Sequence, residues 1–128
     1  MIVVDTSVWI DAQRRPSGRI AHTLNALLDA DEVALPLPVH LELTAGVSRR
    51  DRAALLRGLS GLPVIRPTDE TWKLIERWVP AAADKGYRFG LSDWLIAALA
   101  NEIGGMVWSL DEDFAGLERL KLISRHAP

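Results

Sequence analysis

Apolar residues follow two alternating rhythms along this chain: short unbroken runs, and longer stretches with an apolar side chain every third or fourth residue. The runs suit strands buried on both faces of a parallel sheet, and the 3–4 spacing suits helices with one face packed inward. Ile2-Val3-Val4 is the first run, and Asp5 closes it. Ile20, Leu24, Leu27 and Leu28 recur at helical spacing, the acidic turn Asp29-Ala30-Asp31 interrupts them, and Val33-Ala34-Leu35 reads as a second strand. Pro36 and Pro38 end that strand. Pro38 suits the first turn of a helix that carries Val39, Leu43 and Val47 on one face, with Glu42 inside it.

Residues 51–60 predict a short helix closed by Gly61, and Leu62-Pro63-Val64-Ile65 predicts a third strand. Thr68, Asp69 and Glu70 make a good start for a helix running toward Gly86, with a kink or break expected near Pro80. Ser92 is the expected cap of a helix whose stripe is Leu95, Ile96, Leu99 and Ile103, and Asp93 falls in its first turn. Gly104-Gly105 ends that helix. Met106-Val107-Trp108-Ser109 is a fourth strand leading into the acidic turn Asp111-Glu112-Asp113, and a last strand is expected near Leu120 to Ile123. Such alternation predicts an α/β fold of three layers, α/β/α, with a central parallel sheet of four to five strands and right-handed crossovers. Residues 1–128 are expected to form one domain, since no repeat or low-complexity tract divides them.

Composition narrows the chemistry. With 48% hydrophobic and 25% charged residues the chain has ordinary globular usage. No cysteine is present, which excludes disulfides, a thiol nucleophile and Cys-based zinc sites. No apolar run nears the roughly 20 residues needed to cross a bilayer, so no membrane partner is expected and the cytoplasm is the expected compartment. The net charge of −2 does not advertise a polyanion partner, so the placement of charge must decide.

The acids are placed with a pattern. Beyond the carboxyl ends of parallel strands, loops and helix starts converge and working residues collect. Asp5 closes the first strand, Asp111 and Asp113 follow the fourth, and Glu42 and Asp93 lie on helices that begin at the same edge. Two carboxylates about 4 Å apart repel by roughly 4 kcal/mol at an effective dielectric of 20, so a cluster of five must bind protons or cations. An all-oxygen site suits Mg²⁺ or Mn²⁺ and disfavours zinc. Phosphodiester hydrolysis is the natural reaction for such a site.

Val4-Asp5-Thr6-Ser7, Glu42, Leu91-Ser92-Asp93-Trp94-Leu95-Ile96-Ala97-Ala98 and Ser109-Leu110-Asp111-Glu112-Asp113-Phe114 resemble, in order and spacing, the PIN-domain ribonucleases. The size looks most like the VapC toxins of prokaryotic toxin-antitoxin pairs. The resemblance implies endonucleolytic RNA cleavage by metal-activated water. It implies Asp5, Glu42, Asp93 and Asp111 as the catalytic acids, Asp5, Asp93, Asp111 and Asp113 as metal ligands, and Thr6, Ser7 and Ser109 as supporting hydroxyls. It also implies a homodimer and a VapB-like antitoxin partner. Leu110 stands where the family often has Asn, and Ser109 where Thr is common.

Each acid taken singly has a plainer reading, as a strand-end turn residue or a first-turn helix acid; the combination carries the weight. Asp111-Glu112-Asp113 is not a calcium loop, because Ala115 and Leu122 stand where oxygen ligands are needed. An aspartyl-nucleophile phosphatase would carry a second Asp where Ser7 stands. Arg14, Arg15 and Arg19, with Arg49, Arg50, Arg52 and Arg57, are candidates for RNA phosphates or else a solvated helix face. His22, His40 and His126 are unpaired in sequence and none is assigned to metal. Alternatives to the ribonuclease are a non-catalytic RNA-binding module and a DNA or flap nuclease with the same acids.

Overall fold

The computed structural model describes all 128 residues, Met1–Pro128. Strand β1 (Ile2–Val4) leads through helices α1 (Thr6–Arg14) and α2 (Arg19–Asp29) to β2 (Val33–Pro36). Helices α3 (Leu37–Gly46) and α4 (Arg52–Leu59) precede β3 (Val64–Ile65), and α5 (Asp69–Asp84) and α6 (Leu91–Glu102) precede β4 (Met106–Trp108). Helix α7 (Asp113–Arg119) and β5 (Ser124–Arg125) complete the order. The five strands form one parallel sheet in the order β3-β2-β1-β4-β5. β1 is central, and the order reverses on either side of it, so the crevice beyond the ends of β1 and β4 is the switch point where open α/β sheets bind their ligands.

Period-2 alternation along the strands sorts the core into two clusters, one on each face. Ile2, Val4, Val33 and Trp108 pack with Val8 of α1 and Leu24 of α2. Val3, Ala34 and Val107 pack with Val39 and Leu43 of α3, Ile96 and Ala97 of α6, and Phe114 and Leu117 of α7. The chain is therefore the three-layer α/β/α arrangement that its rhythm predicts.

Several local expectations give way to tertiary context. α1 and α7 are helices where only connections were expected, and β5 lies at Ser124–Arg125, just beyond the expected Leu120–Ile123. α5 runs through Pro80 without a break. Pro80 is exposed, so the carbonyl deprived of its N–H partner is open to water. α5 starts where expected, and the Thr71 hydroxyl there accepts from the Thr68 amide at 3.0 Å and donates to Glu102 at 2.6 Å. Ile103 is not part of the α6 stripe; it is exposed at the helix end, where Gly104 turns the chain at φ 65°.

Gly116 of α7 is a tight place for a different reason. A Cβ there would lie 3.1 Å from the rings of both Tyr87 and Phe89. These rings stack on each other with centroids 5.8 Å apart, and Phe89 meets Trp94 of α6 edge-on at 5.2 Å. Aromatic packing thus ties the connection ahead of α6 to the backbone of α7.

Candidate metal centre

The acids come from five places along the carboxyl edge of the sheet. Asp93 in the first turn of α6, Asp111 after β4 and Asp113 at the start of α7 bring carboxylate oxygens within 4.8 Å of one another. Asp5 stands outside that closest set, yet its charge acts on Asp93. Glu42 lies further along the edge, in α3, and is also outside it. Of the five expected acids, the structure therefore clusters three and leaves Asp5 and Glu42 outside that closest group.

Asp5 is buried, at 7% exposure, and is held by a network that the sequence only hints at. It caps α1, its Oδ2 accepting from the Ser7 amide at 3.4 Å. The same oxygen accepts from the hydroxyls of Ser7 and Ser109, each at 2.7 Å. Each serine oxygen in turn accepts a backbone N–H, from Leu110 to Ser7 and from Asp111 to Ser109, both at 3.0 Å. Because both hydroxyl protons go to Asp5, the 3.3 Å approach between the two serine oxygens is a consequence of shared attraction and not a bond. The three bonds that Asp5 accepts converge on Oδ2, which leaves Oδ1 without a hydrogen bond from the protein. One hydrogen-bonded unit thereby joins the end of β1 to the loop after β4.

This arrangement explains the tolerance of Leu110. Its side chain is 46% exposed, while its backbone amide serves the network. Thr6, by contrast, does not join; its hydroxyl is buried without a hydrogen-bond partner. Ser92 differs from expectation more usefully. Gly90 caps α6, and the Ser92 hydroxyl donates to Glu42 at 2.7 Å, fixing Glu42 relative to α6 next to Asp93. A serine before a first-turn acid looks like a helix cap in sequence, and nothing local reveals a partner 50 residues away.

Ser109→Ala removes one donor to Asp5 and the acceptor of the Asp111 amide. Losing a bond to a charged group costs about 1.5–3 kcal/mol, and loss of an outer contact to a ligand lowers metal affinity roughly 10–100-fold. Thermal denaturation and Mn²⁺ titration of Ser109→Ala beside Ser109→Thr test this; the threonine variant should restore both.

The electrostatics match the geometry. The Asp93 carboxyl is pushed up from 3.8 to about 7, first by burial, then by a hydrogen bond with Asp113 that needs a shared proton, then by the charges of Asp111, Asp113 and Asp5. The donor set fits a hard divalent cation: all oxygen, closely spaced, and unrelieved by any Arg or Lys ion pair at Asp93, Asp111 or Asp113.

Because the folded chain binds this proton more tightly than the unfolded chain does, the protonated Asp93 carboxyl contributes to stability. That contribution is fully present below 3.8 and is lost as pH rises through about 7. In chelator-treated protein, Tm should fall as pH is raised from about 5 to about 8, and Asp93→Asn should flatten the profile. A profile unchanged by Asp93→Asn would contradict the stored repulsion.

The arginines divide. Arg15 is engaged with Asp11 at 2.6 Å, and Arg50 approaches Asp51 at 3.8 Å. Arg14, Arg19, Arg49, Arg52 and Arg57 are exposed and form no ion pair. Of these, Arg14 lines a cleft of about 370 Å³ whose wall includes Glu42. A second, almost wholly apolar groove of about 400 Å³, lined by Leu41, Trp72 and Leu91 among others, lies on the other side of Glu42. No helix is long and apolar enough to cross a membrane.

A parallel sheet with this strand order carries an acidic cluster at its switch point, and the PIN domain family profile matches residues 2–120. The chain belongs to the PIN domain family. It is similar to Ribonuclease VapC11 of Mycobacterium tuberculosis and to a VapC ribonuclease of Mycobacterium bovis, each 28% identical over 125 residues, covering 94% of this chain and 93% of the relative. Among solved structures it resembles VapBC2 from Rickettsia felis bound to a promoter DNA fragment, at TM-score 0.81 and 20% identity over 98% of both chains. DNA-bound VapBC from Salmonella typhimurium matches at TM-score 0.79 and 21% identity, over 98% of this chain and 96% of that one. VapBC-5 from Mycobacterium tuberculosis, a toxin-antitoxin system, matches at TM-score 0.68 and 25% identity over 97% of each.

Proposed function

We propose that this protein is a divalent-cation-dependent endoribonuclease and the toxin of a toxin-antitoxin pair. The observation that carries the reading is the convergence of Asp93, Asp111 and Asp113 within 4.8 Å at the sheet's switch point. The ribonuclease naming of its relatives supports RNA as the substrate, and the toxin-antitoxin neighbours support an antitoxin of the VapB kind as partner. Asp5, Asp93, Asp111 and Asp113 hold the ion, which is Mg²⁺ or Mn²⁺. When bound, such an ion polarises a phosphate oxygen and lowers the pKa of an attacking water.

The protein's own residues do the rest. Ser7 and Ser109 fix Asp5, and Ser92 fixes Glu42 as the outermost acid, beside the path a substrate takes into the site. Arg14 and Arg49 are unpaired and free to meet phosphates, whereas Arg15 must first leave Asp11 and Arg50 its weaker contact with Asp51. The working form is a homodimer in the cytoplasm. Purified, partner-free protein incubated with total RNA and Mg²⁺ or Mn²⁺ should give discrete cuts that EDTA abolishes. A gel shift without cuts would instead identify an RNA-binding module, and cuts confined to DNA or flap substrates a different nuclease.

A further inference from the structure

The cleft of about 370 Å³ has Glu42 in its wall and also offers exposed polar side chains of both kinds, Gln13, Arg14 and Asp51. We propose that it is a nucleobase subsite, which takes an unstacked base of the RNA next to the scissile phosphate and reads it through Asp51 and Gln13. The proposal rests on the nuclease reading above and adds where sequence preference is built.

Four observations support it. First, the volume falls within the roughly 300–1,000 Å³ of clefts that hold small ligands. Second, Ile10 of α1 and Val47 at the end of α3, both half-buried, supply apolar walls against which a planar base can lie. Third, its polar groups are available. Gln13 forms no side-chain hydrogen bond, and the Asp51 carboxylate, 61% exposed, accepts from Ser48 at 3.1 Å on one oxygen and meets Arg50 only at 3.8 Å on the other, so lone pairs remain for a base to engage. Fourth, Arg14 lines the same cleft without an ion pair, while its neighbour Arg15 is neutralised by Asp11. A phosphate on Arg14 and a base beside Asp51 are the two contacts that a single-stranded nucleotide needs, one positioning and one specifying.

The other concavities lack this combination. In the apolar groove Glu42 and Ser92 are bonded to each other, and apart from the Trp72 indole the rest of the lining is aliphatic. In the cleft near the chain's end, of about 430 Å³, Glu118 and Arg125 are paired at 3.1 Å.

The chemistry of Asp51 sets the expected base. A carboxylate accepts hydrogen bonds only, and guanine alone presents two adjacent donors, its ring N1–H and its amino group, to such a fork. Uracil offers one donor flanked by carbonyl oxygens that a carboxylate repels. The expected preference is guanine at one position flanking the cut.

The test is to cut a single-stranded RNA library of random sequence in Mn²⁺ and tabulate base frequencies around the cut for wild type, Asp51→Asn, Gln13→Ala and Arg14→Ala. One well-made base contact corresponds to roughly 5- to 100-fold discrimination, which Asp51→Asn should collapse or redirect toward bases with acceptors. Gln13→Ala should weaken it, and Arg14→Ala should leave the preference intact while raising KM and lowering the salt dependence of binding by about one unit of slope. Asp51 and Gln13 are exposed, and matching melting curves will show that the variants fold. Wild-type cutting with the same base preference in Asp51→Asn and Gln13→Ala overturns the subsite and leaves the nuclease standing. No cutting by the wild type overturns both.

Discussion

Asp5→Asn should lose RNA cleavage by on the order of 10²–10³-fold or more, the effect of removing one preorganised electrostatic partner from a reaction centre. The same protein should remain folded. Asp5 is buried, and the substitution keeps its shape, so the hydroxyls of Ser7 and Ser109 still have an oxygen to meet. Removing one charge also relieves Asp93, whose protonated form is favoured partly by Asp5, so the metal-free variant should melt at or above the wild-type temperature. Calorimetry in EDTA beside a cleavage assay separates the two readouts. Full activity in Asp5→Asn, with EDTA without effect, would falsify the metal mechanism.

The second large effect is on stability. Phe114 is fully buried and directly follows Asp113, so its ring anchors the acidic turn to the core formed with α6. Phe114→Ala should cost about 3–5 kcal/mol, a large share of the 5–15 kcal/mol typical of a domain. A lower denaturant midpoint should come with weaker Mn²⁺ binding, because the turn that presents Asp111 and Asp113 loses its fixed seat. Phe114→Leu, which retains most of the buried area, should recover both in part. A destabilised Phe114→Ala that binds Mn²⁺ as tightly as wild type would show that the turn holds itself.

Much of this is legible in the sequence. Strand ends follow from apolar runs, and in a parallel sheet every strand's carboxyl end faces the same way, so Asp5, Asp93, Asp111 and Asp113 could be placed on one edge from their positions alone. Glu42 was legible as a member of that edge but not as its margin, because its distance from the others depends on how α3 and α6 pack. α1 is not legible, because its nine residues bury only Val8 and so show little apolar periodicity. The break expected at Pro80 failed because a helix on the surface can leave one carbonyl to water. Ser92 and Leu110 act through partners far along the chain, a hydroxyl to Glu42 and a backbone amide to Ser7, which no local pattern encodes.

The absence of a side chain at Gly116 has a wider meaning. With Tyr87 and Phe89 pressed on bare backbone, and Phe89 in turn against Trp94, the segments bearing Asp93 and Asp113 are coupled as one stiff body. An incoming ion would thus find its ligands waiting and would not have to gather them, so little ordering entropy opposes capture. Enlarging residue 116, even to alanine, would press on both rings and force them to give by a few tenths of an ångström, a strain placed on that readiness while every acid stays in the sequence.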